Sequence, residues 1–119
     1  MLTHWQDSPP EAPFYAVIFI SQKSQDLEGY SEMDEKMMTM AQEQEGYLGY
    51  SSASTAAGGI FISYWRDEES IAKWRADREH GEAKSQASKW YAYYHSMIAR
   101  VESSKVHGQW LEAIGGDHL

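Results

Sequence analysis

The run Phe61-Ile62-Ser63-Tyr64-Trp65, followed without a spacer by Arg66-Asp67-Glu68-Glu69-Ser70-Ile71-Ala72-Lys73-Trp74, constrains this chain more than any other stretch. Its first half is apolar and rich in β-formers, as a strand requires. Its second half opens on Asp67, a helix-capping residue, and carries Ile71, Trp74 and Arg78 on one face at helical spacing. The spacing therefore predicts a strand that passes directly into a helix lying back over the sheet. Trp65 and Trp74 bracket the junction, and Glu79-His80 follows the second of them.

The other elements arrange themselves around that junction. Residues 1–13, with Pro9-Pro10 and Pro13, read as an extended N-terminal arm, because Pro removes donors and pushes its neighbour toward extended geometry. Phe14 to Ser21 is apolar and short enough for a strand buried on both faces. Gln22 to Gly29 reads as a polar loop. Ser31-x-x-Asp34 predicts a capping box. Tyr30, Met33, Met37, Met40 or Ala41, and Gln44 then share the inner face of a helix, and Gly46 ends it in the left-handed conformation. Tyr47 to Ala53 and Ile60 to Trp65 form two strands joined by an Ala56-Ala57-Gly58-Gly59 turn. Gly81 interrupts the helix that follows Asp67, and a further helical piece with Ala83, Ala87 and Trp90 leads to a last strand from about Ala92 to Glu102. Residues 103–119 are a tail holding Trp110, Leu111 and Ile114.

Over residues 14–102 the order is β-α-β-β-α-β. It predicts one α+β domain of the ferredoxin-like kind, a four-stranded antiparallel sheet with helices on one face. The bare face is expected to hold Val17, Phe19, Phe61 or Ile62 and several Tyr. An apolar face of that size needs a partner, and a second copy of the chain is the simplest one.

Composition narrows the function classes. A chain of 119 residues makes one domain. Acids outnumber Lys and Arg 18 to 10, giving a formal charge of −8. That balance argues against nucleic acid, whose phosphates need a basic surface, and against anionic membranes. No apolar run approaches the roughly 20 residues of a membrane span, and Met1 to Asp7 lacks the regions of a secretory signal. With zero Cys, thiolate sites are excluded and a cytoplasmic location is expected. The 5 Trp and 8 Tyr suit either a core with a dimer interface or a ring-lined ligand pocket.

The two Trp set this way, with Gly46-Tyr47-Leu48-Gly49 upstream, make the chain resemble the antibiotic-biosynthesis monooxygenase (ABM) family, which includes small haem-degrading relatives. The resemblance covers roughly residues 14 to 102 and implies a dimeric α+β barrel with a pocket between sheet and helices, beside Trp74. It also implies one of two chemistries. Haem-degrading members use an Asn on the first strand and a haem-ligating His ten residues after the Trp that corresponds to Trp74. Here that tenth residue is Lys84, and Phe14 to Ser21 holds no Asn, so haem ligation in that manner is not expected. Cofactor-free members oxidise polyketide-like phenols with O₂, which requires an apolar pocket and a base. The expectation is therefore a cofactor-independent monooxygenase for a small aromatic or polyketide-like substrate. The alternatives are a non-catalytic dimeric ligand-binding or structural module, and a haem-binding or haem-degrading monooxygenase.

His80 and His95 are the candidate catalytic residues, since imidazole titrates nearest neutrality. On an unbroken helix His80 lies about 240° round from Trp74, so Gly81 would have to bend it toward the pocket. In the last strand Tyr93, His95 and Met97 share one face while Tyr94, Ser96 and Ile98 share the other. Trp74, Tyr94, Tyr93, Trp65 and Arg78 are the candidate substrate-binding residues; Trp74 reads as core or pocket wall, and Trp65, at the strand-to-helix junction, reads first as a packing residue. No helical His-x-x-x-His or Glu-x-x-His pair points to a metal site. No phosphate loop or nucleophilic Ser motif is present either.

Overall fold

The computed structural model describes residues 1–79 and 89–110, with Arg78 and Glu79 described by their backbone alone. Its elements run β1 (Leu2–Trp5), β2 (Phe14–Lys23), α1 (Tyr30–Glu43), β3 (Tyr47–Ser54), β4 (Gly58–Trp65), α2 (Glu68–Glu79) and β5 (Tyr91–Val101). The strands form one antiparallel sheet in the order β1-β3-β4-β2-β5. From β2 onward the expected β-α-β-β-α-β order is present.

The sheet has five strands where four were expected. The added one is β1, which pairs with β3 from Leu2↔Ser52 to Trp5↔Gly49 and occupies the start of the proline-containing arm. It is tied down by Gln6 N donating to Leu48 O at 2.9 Å and by a 4.6 Å contact between the Trp5 and Tyr64 rings. β2 also runs on through Lys23, taking two residues from the expected loop.

Helix α1 starts differently from the expected capping box. Its first residue is Tyr30, so Ser31 already lies inside the first turn and cannot cap it. The N-cap is Gly29 at φ 80°, which has no side chain to make a capping hydrogen bond. The expected inner stripe is present: Ala41 is buried, and Met37 and Met40 pack against the core. Gly46, at φ 90°, turns the chain from α1 into β3. The β3–β4 hairpin turns at residues 55–57, with Thr55 N donating to Gly58 O at 2.8 Å, so Gly58 and Gly59 belong to β4 and not to the turn. A Cβ on Gly58 would lie 2.2 Å from the Ser21 carbonyl oxygen, an approach only Gly permits.

The register assigns the faces. Val17, Phe19 and Phe61 look toward the helices, because Phe19 pairs with Phe61 and both line the space beneath α1. The opposite face carries Ile18, Ile20 and Ile62, with Ile18 opposite Ile62 and Met97. This reverses the expected placing of Val17, Phe19 and Phe61. The core proper is Ala41, Tyr47, Trp65, Ile71 and Trp74. No helix among the described residues is long and apolar enough to cross a membrane.

Candidate functional site

A cavity of about 570 Å³ lies between the sheet and the two helices, within the roughly 300–1,000 Å³ common for small-molecule sites. One side is the Met face of α1, with Met33, Met37 and Ala41, and the facing side is the sheet, with Val17, Phe19 and Phe61. Trp74 joins the wall from α2. Thioether and ring surfaces of this kind bind flat apolar molecules by contact area and tolerate variation in their outline.

The strand-to-helix junction positions Trp74. Asp67 Oδ1 accepts from Ser70 N at 2.8 Å and from Ser70 Oγ at 2.7 Å, capping α2 as expected. Those two bonds, led by the Ser70 hydroxyl and helped by Arg66, hold the Asp67 carboxyl down at about 2. The helix then turns Ile71 and Trp74 inward to 1% and 8% exposure. Trp65 is fully buried at 0% and its indole stacks on Trp74 at 6.2 Å with 23° between the planes. Trp65 Nε1 donates to Ser63 Oγ at 2.8 Å. Trp65 is thus a core residue that backs Trp74, while Trp74 is both core and wall.

The last strand divides as its alternation predicts. Tyr94 and Ser96 line the cavity, whereas Tyr93 and His95 stand on the opposite face, exposed, with His95 paired to Ile20. The structure therefore brings Trp74 and Tyr94 to one site and keeps Tyr93, His95 and Trp65 off its wall. His80 and the expected break at Gly81 lie outside the described residues, as does Lys84, and the Arg78 side chain is likewise not described. Among the described residues no three His, Asp or Glu gather where a metal ion could be held.

Three polar residues of the cavity were not singled out from sequence. Lys23 and Asp34 are the charged side chains that line it among the described residues. Desolvation raises the Asp34 carboxyl above its ordinary range, opposed by the charge of Lys23 and assisted by Glu35. Tyr47, only 5% exposed, also lines the cavity, and its hydroxyl has no hydrogen-bond partner among the described residues. Desolvation, with a smaller contribution from Tyr50, pushes that phenol up to about 12, so it stays protonated and can act as a donor but not as a base. The alternation that places Val17 and Phe19 toward the helices was the one signal that could have led to Lys23.

The chain matches the family model described as Monooxygenase af470-like over residues 17–117. The uncharacterised protein YqjZ of Bacillus subtilis (strain 168) is 42% identical over 99 residues, which span 82% of this chain and 87% of YqjZ. In three dimensions the chain is similar to a variant of SnoaB, a cofactor-independent oxygenase from Streptomyces nogalater. That match has a TM-score of 0.66 and 7% identity, over 78% of this chain and 97% of the other. A candidate antibiotic biosynthesis monooxygenase from Nitrosomonas europaea gives a TM-score of 0.61 at 10% identity, over 79% of this chain and 94% of that one. At such identities the two structural matches establish the fold, and with the family match they bear out the ABM-like resemblance.

Proposed function

Because the chain belongs to the Monooxygenase af470-like family, we propose that it is a cofactor-independent monooxygenase acting on a small aromatic, polyketide-like phenol held between sheet and helices. The observation that carries this reading is the cavity itself, about 570 Å³ with Trp74, Phe19, Phe61 and Tyr94 on its walls. The protein's part in such a reaction is to enclose the substrate, exclude bulk water and remove a proton. Ionisation leaves the electron pair on an electron-rich ring, which then reduces O₂ directly. For an anthrone-type methylene the balance is one CH₂ and one O₂ giving one C=O and one water, with no external reductant.

The working unit in this reading is a homodimer. Ile18, Ile20, Ile62 and Met97 make a continuous apolar patch on the face away from the helices, and a second copy would cover it. Sedimentation at micromolar concentration tests this, since a monomer would remove that part of the proposal.

Activity is tested by mixing the purified protein with a panel of anthrone- and quinol-like phenols and following O₂ uptake with quinone absorbance. Protein-dependent uptake matched one-to-one by quinone supports the oxygenase. Quenching of Trp fluorescence by the same compounds without any uptake would favour a ligand-binding module instead.

A further inference from the structure

The two ends of the cavity differ. Along β2, Val17 lies beside the Trp65–Trp74 core and Lys23 lies at the strand's far end, about 20 Å away at the rise of an extended strand. Around Lys23 the lining is a cluster of rings in which Tyr30, Tyr91 and Tyr94 carry hydroxyls. Its Nζ stands 5.3 Å from the centre of the Tyr30 ring. Tyr30 packs edge-on against Trp90 at 5.7 Å and Tyr91 at 5.9 Å, and Phe19 bridges Tyr91 and Tyr94 at 5.2 and 5.6 Å. Asp34 is four residues beyond Tyr30 on α1, on the same face of the helix and one turn along. Lys23 and Asp34 therefore flank one aromatic ring from two different elements, and they are the charged side chains that line the cavity among the described residues.

Among the described residues Lys23 and Asp34 form no ion pair within the usual bonding distance, and no side-chain hydrogen bond engages the Asp34 carboxylate. In a chain of net charge −8, an ammonium that is the one cation lining the aromatic cavity among the described residues is a selective feature. It favours a ligand that brings its own negative charge, or one that can acquire it there.

We propose that Lys23 and Asp34 are the acid–base pair of this cavity: Asp34 takes the proton of the bound phenol and Lys23 holds the resulting phenolate oxygen. This rests on the reading of the cavity as a phenol-oxidising site. In the step, the substrate O–H bond breaks, its electron pair stays on oxygen, and a new O–H bond forms on the Asp34 carboxyl. Asp34 is exposed at the cavity mouth, so it returns the proton to bulk water and is ready for the next turnover. Among the described residues the charged and titratable groups around it are Lys23 from β2 and Glu35 and Tyr30 from α1. Asp34 is exposed as a residue, so only the cavity-facing side of its carboxyl is desolvated; that raises its proton affinity while the cation on the opposite element opposes the rise, which suits a base that must release its proton again. The Trp74 end then receives the apolar rings, and the ligand's acidic oxygen points to the β2–α1 end.

Alizarin, a hydroxyanthraquinone whose colour reports its ionisation, tests the pair without turnover. The apparent pKa of bound alizarin is read by visible titration in wild type, Lys23→Met and Asp34→Asn, with circular dichroism checking each fold. Wild type should lower the dye's pKa by about one unit, Lys23→Met should abolish that shift, and Asp34→Asn should increase it, because a charge within about 4–6 Å moves a pKa by roughly 1–3 units. With an oxidisable phenol, Asp34→Asn should lower kcat about 10²–10⁴-fold at nearly unchanged KM, and Asp34→Glu should recover part of it. Alizarin that binds all three proteins with the same ionisation would overturn the pair and leave the cavity reading standing. Alizarin that fails to bind wild type would overturn both.

Discussion

Replacing Tyr47 with Phe should stabilise this protein. The Tyr47 ring is locked in the core by an edge-on contact with Trp65 at 5.5 Å and 78°, which Phe can keep. Only the hydroxyl is lost, and that hydroxyl is buried without a partner among the described residues. A buried donor left unsatisfied costs about 1–3 kcal/mol. The small space left by one oxygen takes back part of this, so a net gain of about 1 kcal/mol is expected. At about 2.1 cal/mol/K per residue, a chain of 119 residues unfolds with an entropy of about 250 cal/mol/K. The melting temperature should therefore rise by about 4 °C. Calorimetry at pH 7 and one fixed protein concentration measures it, since an associating protein melts at a concentration-dependent temperature. The alkaline limb gives a second check. Tyr47 ionises near 10.0 when unfolded and near 12 when folded. Between those values the native state holds a proton the unfolded chain has lost, so stability falls as pH rises through that window. The variant should lack that contribution, and its advantage should widen from pH 10 upward. A lower melting temperature for the variant would refute the reasoning, because it would mean the hydroxyl has a partner.

Gly46→Ala should be strongly destabilising, by about 1–3 kcal/mol for backbone strain alone. Gly46 sits at φ 90°, and an added Cβ would meet Ser70 Oγ at 2.1 Å; an unchanged thermal melt would contradict this. Asp67→Ala should lower the melting temperature at pH 7. Because the Asp67 carboxyl is held at about 2 against an ordinary 3.8, the difference from wild type should fade as pH falls from about 4 to about 2. Ile62→Lys, on the face away from the helices, should shift the protein toward monomer in sedimentation without altering its circular dichroism. His95→Ala should leave turnover within about twofold, well short of the about 10²–10⁴-fold loss of a general base, as His95 stands on the face opposite the cavity.

The parts of the fold that were legible in sequence are those where one periodicity extends over several turns. The Met stripe of α1 and the Ile71–Trp74 face of α2 repeat at helical spacing, and Asp67 marks the start of α2 unambiguously. β1 was not legible, because Leu2–Trp5 is too short to show alternation and lies just upstream of three prolines. Its strand character comes from the free edge of β3, a tertiary cause that no local pattern records. The phase of β2 was hidden for a different reason. Phe14 to Ile20 is apolar at every position, so either face could have been the inner one, and only pairing with β4 and β5 decides between them.

The same physics explains which site residues were missed. Trp74 could be found because a large ring on an inward helical face must be wall, core or both. Lys23 and Asp34 each carried a sufficient local explanation, Lys23 as the beginning of a polar loop and Asp34 as an acid favoured near a helix start. Their significance arises only when β2 continues through Lys23 and α1 begins at Tyr30, two residues earlier than a Ser31 cap would allow. Extending the strand carries the ammonium over the Tyr30 ring, and fixing the helix start turns Asp34 into the same cavity. Two small boundary shifts, each driven by backbone pairing or a left-handed Gly29, therefore convert two unremarkable charges into one polar end of an apolar site.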